Sequence, residues 1–191
     1  MARADAERNI AAILAAGQRL LSADPTASVA EIAKAAGVGR VTLYGHFPSR
    51  EDLVDAVLRQ AIDQAQQVLD QLELDEGPAP QALTTLVATA WEVLDRHSRL
   101  FVAADRAMGT TAVRERHAGP LLLVERLIAR GRAEGDFRTD LPLPWLVSTF
   151  FAILHTMAQE VESARLDRAE ASGVLVTTLE SLLSARSRRA G

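Results

Sequence analysis

Between Ser28 and Arg50 the chain gathers side chains suited to gripping a nucleic-acid duplex. Arg40 carries a planar fork of donors that can meet guanine bidentately, and Thr42 can meet a thymine methyl group. Tyr44 and His46 can donate to phosphate oxygens. Lys34 and Arg50 add positive charge, and residues 32–50 contain no Asp or Glu. The whole chain of 191 residues has a formal net charge of −4, so this patch stands against an acidic background. A duplex responds to the local field rather than to the mean. Tyr44 is the chain's single tyrosine, which suits a contact role better than core packing.

The elements that position these groups are marked by caps. Ser28-Val29-Ala30-Glu31 reads as a capping box, in which Ser28 accepts from the third helical N–H and Glu31 returns the bond. The short helix that follows turns Val29, Ile32, Ala33 and Ala36 inward and stops at Gly37, where left-handed backbone costs glycine nothing. Ala33 and Gly37 are small, as a close helix crossing requires. A second short helix is predicted over residues 40–47, broken by Pro48-Ser49. Ser49 then caps a long helix over about 49–72, with Asp52 at its third position. Two short helices on a glycine turn form the pattern of a helix-turn-helix, whose second helix enters the major groove.

Residues 29–58, VAEIAKAAGVGRVTLYGHFPSREDLVDAVL, closely resemble the DNA-binding segment of TetR-family transcriptional regulators. Gly37-Val38, Thr42-Leu43-Tyr44, Phe47 and Ser49-Arg50-Glu51-Asp52-Leu53 carry that resemblance. It implies base reading by Arg40 and Thr42. Phosphate contacts are implied for Thr42, Tyr44, His46 and the start of the helix after Ser49, with Lys34 nearby. The DNA-binding set is therefore Lys34, Gly39, Arg40, Val41, Thr42, Tyr44, Gly45, His46 and Arg50. Two positions depart from the family: Gly39 stands where a capping serine is common, and Gly45 where a larger residue is common.

Elsewhere the apolar residues recur at helical spacing and strand signals are scarce. An all-α fold of about nine helices is predicted: an N-terminal three-helix helix-turn-helix domain over 1–50, then a helical ligand-binding and dimerisation domain over 51–191. A first helix covers about 5–22. Others run from the loop at 75–80 to about His97, over 98–108 up to Gly109, and over 111–134 with a break at Gly119-Pro120. The last two run from Pro142 to about Ala164 and over 167–187, and the tail from Arg186 is expected to fray. Helices eight and nine are apolar nearly all round, so they are expected to form a four-helix interface in a homodimer. Bulky residues on helices five to eight, namely Trp91, Phe101, Met108, Leu123, Leu127, Phe150 and His155, are candidates to line a ligand pocket. The scarcity of inward charge favours an apolar or aromatic effector.

Absent chemistry is equally informative. The chain has no cysteine, which excludes disulfides, thiolate metal sites and cysteine nucleophiles. The four histidines lack metal-ligand spacing, and Gly37-Val38-Gly39 follows no strand and precedes no Gly-Lys, so it is no phosphate loop. No cofactor and no metal are expected. Residues 141–159 carry no formal charge but hold Pro142, Pro144, His155 and Gln159, which suits a helix buried in protein rather than a membrane span. Mixed charge near the N-terminus is wrong for a signal peptide, so a cytoplasmic location is expected. The resulting expectation is a dimeric regulator, most simply a ligand-released repressor on a palindromic duplex operator and not an enzyme. A helical protein-binding adaptor and a small all-helical enzyme are the rivals.

Overall fold

A computed structural model describes residues 2–185, and these form nine helices with one isolated antiparallel bridge. The helices are α1 (Ala2–Ala23), α2 (Val29–Ala35), α3 (Arg40–His46), α4 (Arg50–Leu69), α5 (Ala79–Arg96), α6 (Ser98–Arg116), α7 (Ala118–Glu134), α8 (Leu143–Glu162) and α9 (Arg168–Leu183). The expected tail from Arg186 lies outside the described residues. The chain divides into two compact units. One holds the chain up to Ala65 together with Arg96–His117, and the other holds Gln66–Asp95 and the chain from Ala118 onward. The unit that contains the helix-turn-helix is thus larger than residues 1–50, because α6 packs on α1 inside it.

The first unit is organised by a core of Ile13, Leu21, Ile32, Leu43, Leu53, Val57, Leu58 and Leu100, all fully buried. Its tightest crossing is at Gly17, where an added Cβ would lie 2.7 Å from Val57 Cγ2. That is the close approach expected of Gly37. Gly37 has open space around it and is needed instead for its φ of +71°. There it closes α2 by a paired cap: its N–H donates to Lys34 O and that of Val38 to Ala33 O.

Inside α6, Gly109 adopts φ 81° and ψ 159°, so the expected interruption is present. The next break differs from expectation. It falls at His117, and Pro120 sits in the first turn of α7, where a missing N–H has no helical acceptor to lose. His117 is buried, donates Nδ1–H to Val113 O at 2.7 Å and lies 5.3 Å from the Phe101 ring.

The second unit packs α7 on α8 and α8 on α9. Leu83, Leu86, Ile128, Leu146, Leu175 and Leu179 are buried in it. The Phe137 ring lies against Gly131 of α7, so close that a Cβ there would meet it at 2.2 Å. Backbone then ties this segment to the end of α9, with Arg138 N–H on Leu183 O and Ala185 N–H on Asp136 O. At the other end of α9, Asp167 caps the helix and Arg168 pairs with Asp95 on α5. Helix α8 stops two residues short of the expected Ala164. Ala164 itself takes φ 54°, with its N–H on Val161 O and that of Arg165 on Glu160 O. This repeats the paired cap of Gly37, with alanine bearing the strain that glycine avoids.

Candidate nucleic-acid interface

The capping box at Ser28 is present in full. Glu31 N–H donates to Ser28 Oγ at 3.2 Å, and Ser28 N–H donates to Glu31 Oε2 at 2.7 Å. The Ser28 N–H, and after it the Ser28 hydroxyl at 2.8 Å, donate to Glu31 Oε2 and hold that carboxyl below its ordinary value. Ser49 and Asp52 repeat the exchange at the start of α4, at 3.1 and 3.0 Å. Val29, Ile32 and Ala33 bury α2 against the core.

Helix α3 rests on this scaffold by one fully buried side chain, Leu43. With Leu43 inward, the helical period turns Arg40, Val41, Thr42, Tyr44 and Gly45 outward. All five are exposed; Val41 reaches 88% and Tyr44 40%. A valine side chain left in water contributes nothing to a core, but it suits contact with a thymine methyl group. His46 is half-buried at the helix end, and Lys34 is exposed on α2. Gly39 caps α3 without any side-chain bond, and a Cβ on Gly45 would meet nothing. The structure thus brings Gly39, Arg40, Val41, Thr42, Tyr44, Gly45 and His46 together on one short helix and its cap.

Arg50 is placed differently. Its guanidinium is half-buried and donates to Pro25 O at 3.1 Å and to Ala27 O. It therefore clamps the turn before α2 to the start of α4, a role that depends on tertiary contact and left no signal in the local sequence. Asp24 organises the same turn, accepting from Thr26 N–H at 2.8 Å and from the Thr26 hydroxyl at 2.7 Å. Those bonds lower its carboxyl below the ordinary value, aided by the fields of Arg99 and Arg50. Nearby, His97 faces Ser22 Oγ at 3.3 Å, and burial with the adjacent Arg96 charge pushes its imidazole below the usual range.

The candidate ligand residues fall in both units. Phe101 and Met108 pack against the first unit's core. Trp91, Leu127 and Phe150 are buried in the second unit, where Leu123 is half-buried. His155 is half-buried there as well, donating Nδ1–H to Phe151 O at 2.9 Å with its ring 3.9 Å from that of Phe151. Among the described residues no cluster of His, Asp or Glu could hold a metal ion, and no helix is long and apolar enough to cross a membrane.

A short, exposed, cationic helix carried on a capped and buried one is the arrangement of a helix-turn-helix. Residues 13–57 match the family described as bacterial regulatory proteins, tetR family. It is 38% identical over 81 residues to the HTH-type transcriptional repressor LfrR of Mycolicibacterium smegmatis, covering 42% of this chain and 43% of LfrR. It is 30% identical over 122 residues to the repressor KstR2 of the same organism, covering 60% and 59%. The matched segments thus span less than two thirds of these relatives. In fold the likeness runs further. The crystal structure of LfrR with proflavine aligns over 95% of this chain and 97% of that one, with a TM-score of 0.70 at 23% identity. That of FadR from Bacillus subtilis with stearoyl-CoA aligns over 89% and 97%, with a TM-score of 0.74 at 17% identity.

Proposed function

We propose that the protein is a ligand-released transcriptional repressor that binds a palindromic duplex operator as a dimer. The observation that carries this reading is α3, which spends its surface on exposed Arg40, Val41, Thr42 and Tyr44 and buries Leu43 alone. Lys34, Gly39, Gly45 and His46 complete the contact surface, and Arg50 holds it in register through Pro25 and Ala27. In this reading the protein works in the cytoplasm, and no reaction is assigned to it. Duplexes selected from a random pool should share a palindromic motif. Replacing Arg40, Thr42, Tyr44 and His46 together with alanine should abolish binding to that motif. Retention of wild-type affinity by the fourfold variant would reject the reading.

Dimerisation is assigned to α8 and α9. The buried stripes of both helices are spent within one chain: Phe151 and Leu179 are buried in it. Outward lie the small Ala152 and Thr156 on α8 and Gly173, Thr177, Thr178 and Ser181 on α9, with Trp145 exposed in the first turn of α8. Val174 adds an apolar point at 39% exposure. Small outward residues let two helices approach closely, as a four-helix interface needs. Aspartate at Val174 or Thr177 should therefore give folded monomers in sedimentation, whereas aspartate at Leu179 should unfold the subunit. A Val174→Asp, Thr177→Asp protein that stays dimeric would move the interface elsewhere.

For the effector we assign the second unit's Trp91, Leu123, Leu127, Phe150 and His155 and an apolar or aromatic ligand. Solved TetR-like structures hold proflavine in LfrR and stearoyl-CoA in FadR, ligands of that general character. By linkage, an effector that weakens operator binding must itself be weakened by operator by the same factor. Fluorescence of Trp91 and Trp145 should report its binding. Effector affinity unchanged by operator would remove the switch and leave the DNA-binding assignment standing.

A further inference from the structure

A cleft of about 770 Å³ lies within the first unit, beside the reading helix. It is lined by the turn before α2, by Arg40 and Tyr44 of α3, by Arg50 and Glu51 of α4, and by Ala103, Arg106 and Ala107 of α6. Three arginines therefore line one space with a single acidic residue, Glu51. Arg50 is spoken for by two neutral carbonyls and feels Asp24. Arg40 and Arg106 are exposed and make no hydrogen bond or ion pair within the described residues. The neighbours of Arg106 one turn away on α6 are Val102, Ala103, Gly109 and Thr110, so no acid is placed for a helical pair. The adjacent Asp105 carboxylate already accepts from the Thr110 hydroxyl at 2.7 Å. Converging like charges repel unless an anion enters between them, and arginine suits a phosphate in particular.

We infer that this cleft is a phosphate seat in which Arg106, from α6, grips the sugar-phosphate backbone of the bound duplex beside Arg40 and Tyr44. The inference rests on the DNA-binding reading above and extends it to a helix outside the helix-turn-helix. The duplex backbone is favoured over a free phosphorylated molecule because Arg40 and Tyr44 of the seat are also on the exposed face of α3, so a strand following that helix passes the cleft. A phosphate contact positions without reading sequence, which separates Arg106 from Arg40 in its expected effect. It also means that α6 takes part in DNA binding directly, and not only as the support of α1.

The test uses full-length protein and a duplex selected from a random pool by the wild type. Arg106→Ala should weaken binding roughly tenfold on this duplex and on point variants of it alike. It should also lower the slope of log affinity against log salt by about 1. Arg106→Lys should restore most of the slope, and Glu51→Gln, which removes the lining carboxylate, should tighten binding. Circular dichroism should show all three variants folded, since both positions are exposed. A salt slope unchanged by Arg106→Ala, with Arg40→Ala still damaging, overturns this inference and leaves the DNA-binding reading intact. Inorganic phosphate that raises the melting temperature of wild type but not of Arg106→Ala, with the DNA slope unchanged, would overturn the duplex as the source of the phosphate. Failure to select any duplex overturns the reading and the inference together.

Discussion

Helices α2 and α3 have the same length, seven residues, and opposite construction. Helix α2 opens on a complete capping box, closes on a paired glycine cap and buries three side chains. Helix α3 opens on Gly39 without a side-chain cap, carries Gly45 in its last turn and buries only Leu43. A seven-residue helix is too short to persist alone, so each depends on what it docks against. One has its local rules satisfied; the other breaks them where its surface is outward. Local inconsistency concentrated on an exposed, acid-free helix marks it as the element shaped for a partner rather than for the core.

The strongest way to break this comparison is to remove the single anchor. Leu43→Ala should cost about 2–5 kcal/mol, the range for a fully buried leucine, read by thermal or urea unfolding. It should also abolish duplex binding at temperatures where helicity is retained, because α3 then has nothing to hold it. Ile32→Ala on α2 should cost a similar amount. A loss under about 1 kcal/mol for Leu43→Ala would mean that α3 is held by more than this contact.

A smaller effect is expected at the cap. Ser28→Ala should destabilise by about 1 kcal/mol, as loss of a helix N-cap does. The cap should also be pH-dependent. Because the folded state lowers the Glu31 carboxyl from its ordinary 4.5, the contribution of the box is full above that value and fades as pH falls through the lowered one. Wild type and Ser28→Ala should therefore converge in stability in acid. A constant difference from neutral pH to pH 3 would show that Glu31 plays no part.

The smallest change sharpens the contrast by separating stability from function. Gly45→Ala enters open space, so it should stabilise α3 by about 0.5–1 kcal/mol. If bare backbone at Gly45 is what lets a duplex approach, affinity should fall while the melting temperature rises. A variant that gains in both would show Gly45 to be a defect in the helix rather than part of its reading surface.

The parts of this molecule that were legible in sequence are those with local causes. Ser28 and Glu31, or Ser49 and Asp52, are three residues apart and announce a helix start. Gly37 and Gly109 announce breaks because their backbone is unusual whatever surrounds them. Pro120 misled because a proline in a first turn and a proline at a kink look alike until the preceding residues are placed. Ala164 gave no signal, since alanine in a left-handed cap breaks the rule that makes such caps visible. The charge of Arg50 is legible locally, while its carbonyl acceptors at Pro25 and Ala27 lie more than twenty residues away. The all-round apolarity of α8 and α9 could not show which residues the subunit itself would bury, because that is decided by packing between distant segments. Phe151 and Leu179 went inward, while Trp145 and the small Ala152, Thr156, Thr177 and Ser181 were left outside.

The lacing of Phe137 and Ser184 has a kinetic consequence. The amides of Arg138 and Ala185 are bonded across a separation of more than forty residues, to Leu183 and Asp136. Both bonds sit at the C-terminal end of α9, at and just beyond its last residue Leu183. Exchange of these protons with solvent thus requires that end of α9 to part from the segment after α7, which Asp136 N–H and Phe137 N–H hold to Gly131 O. They should be among the slowest amides of the second unit, whereas those of α3, held by one leucine, should exchange early. The same chain would then carry a long-lived clasp at one place and a readily loosened reading helix at another, and the ratio of their protection factors measures how far apart those two lifetimes have been set.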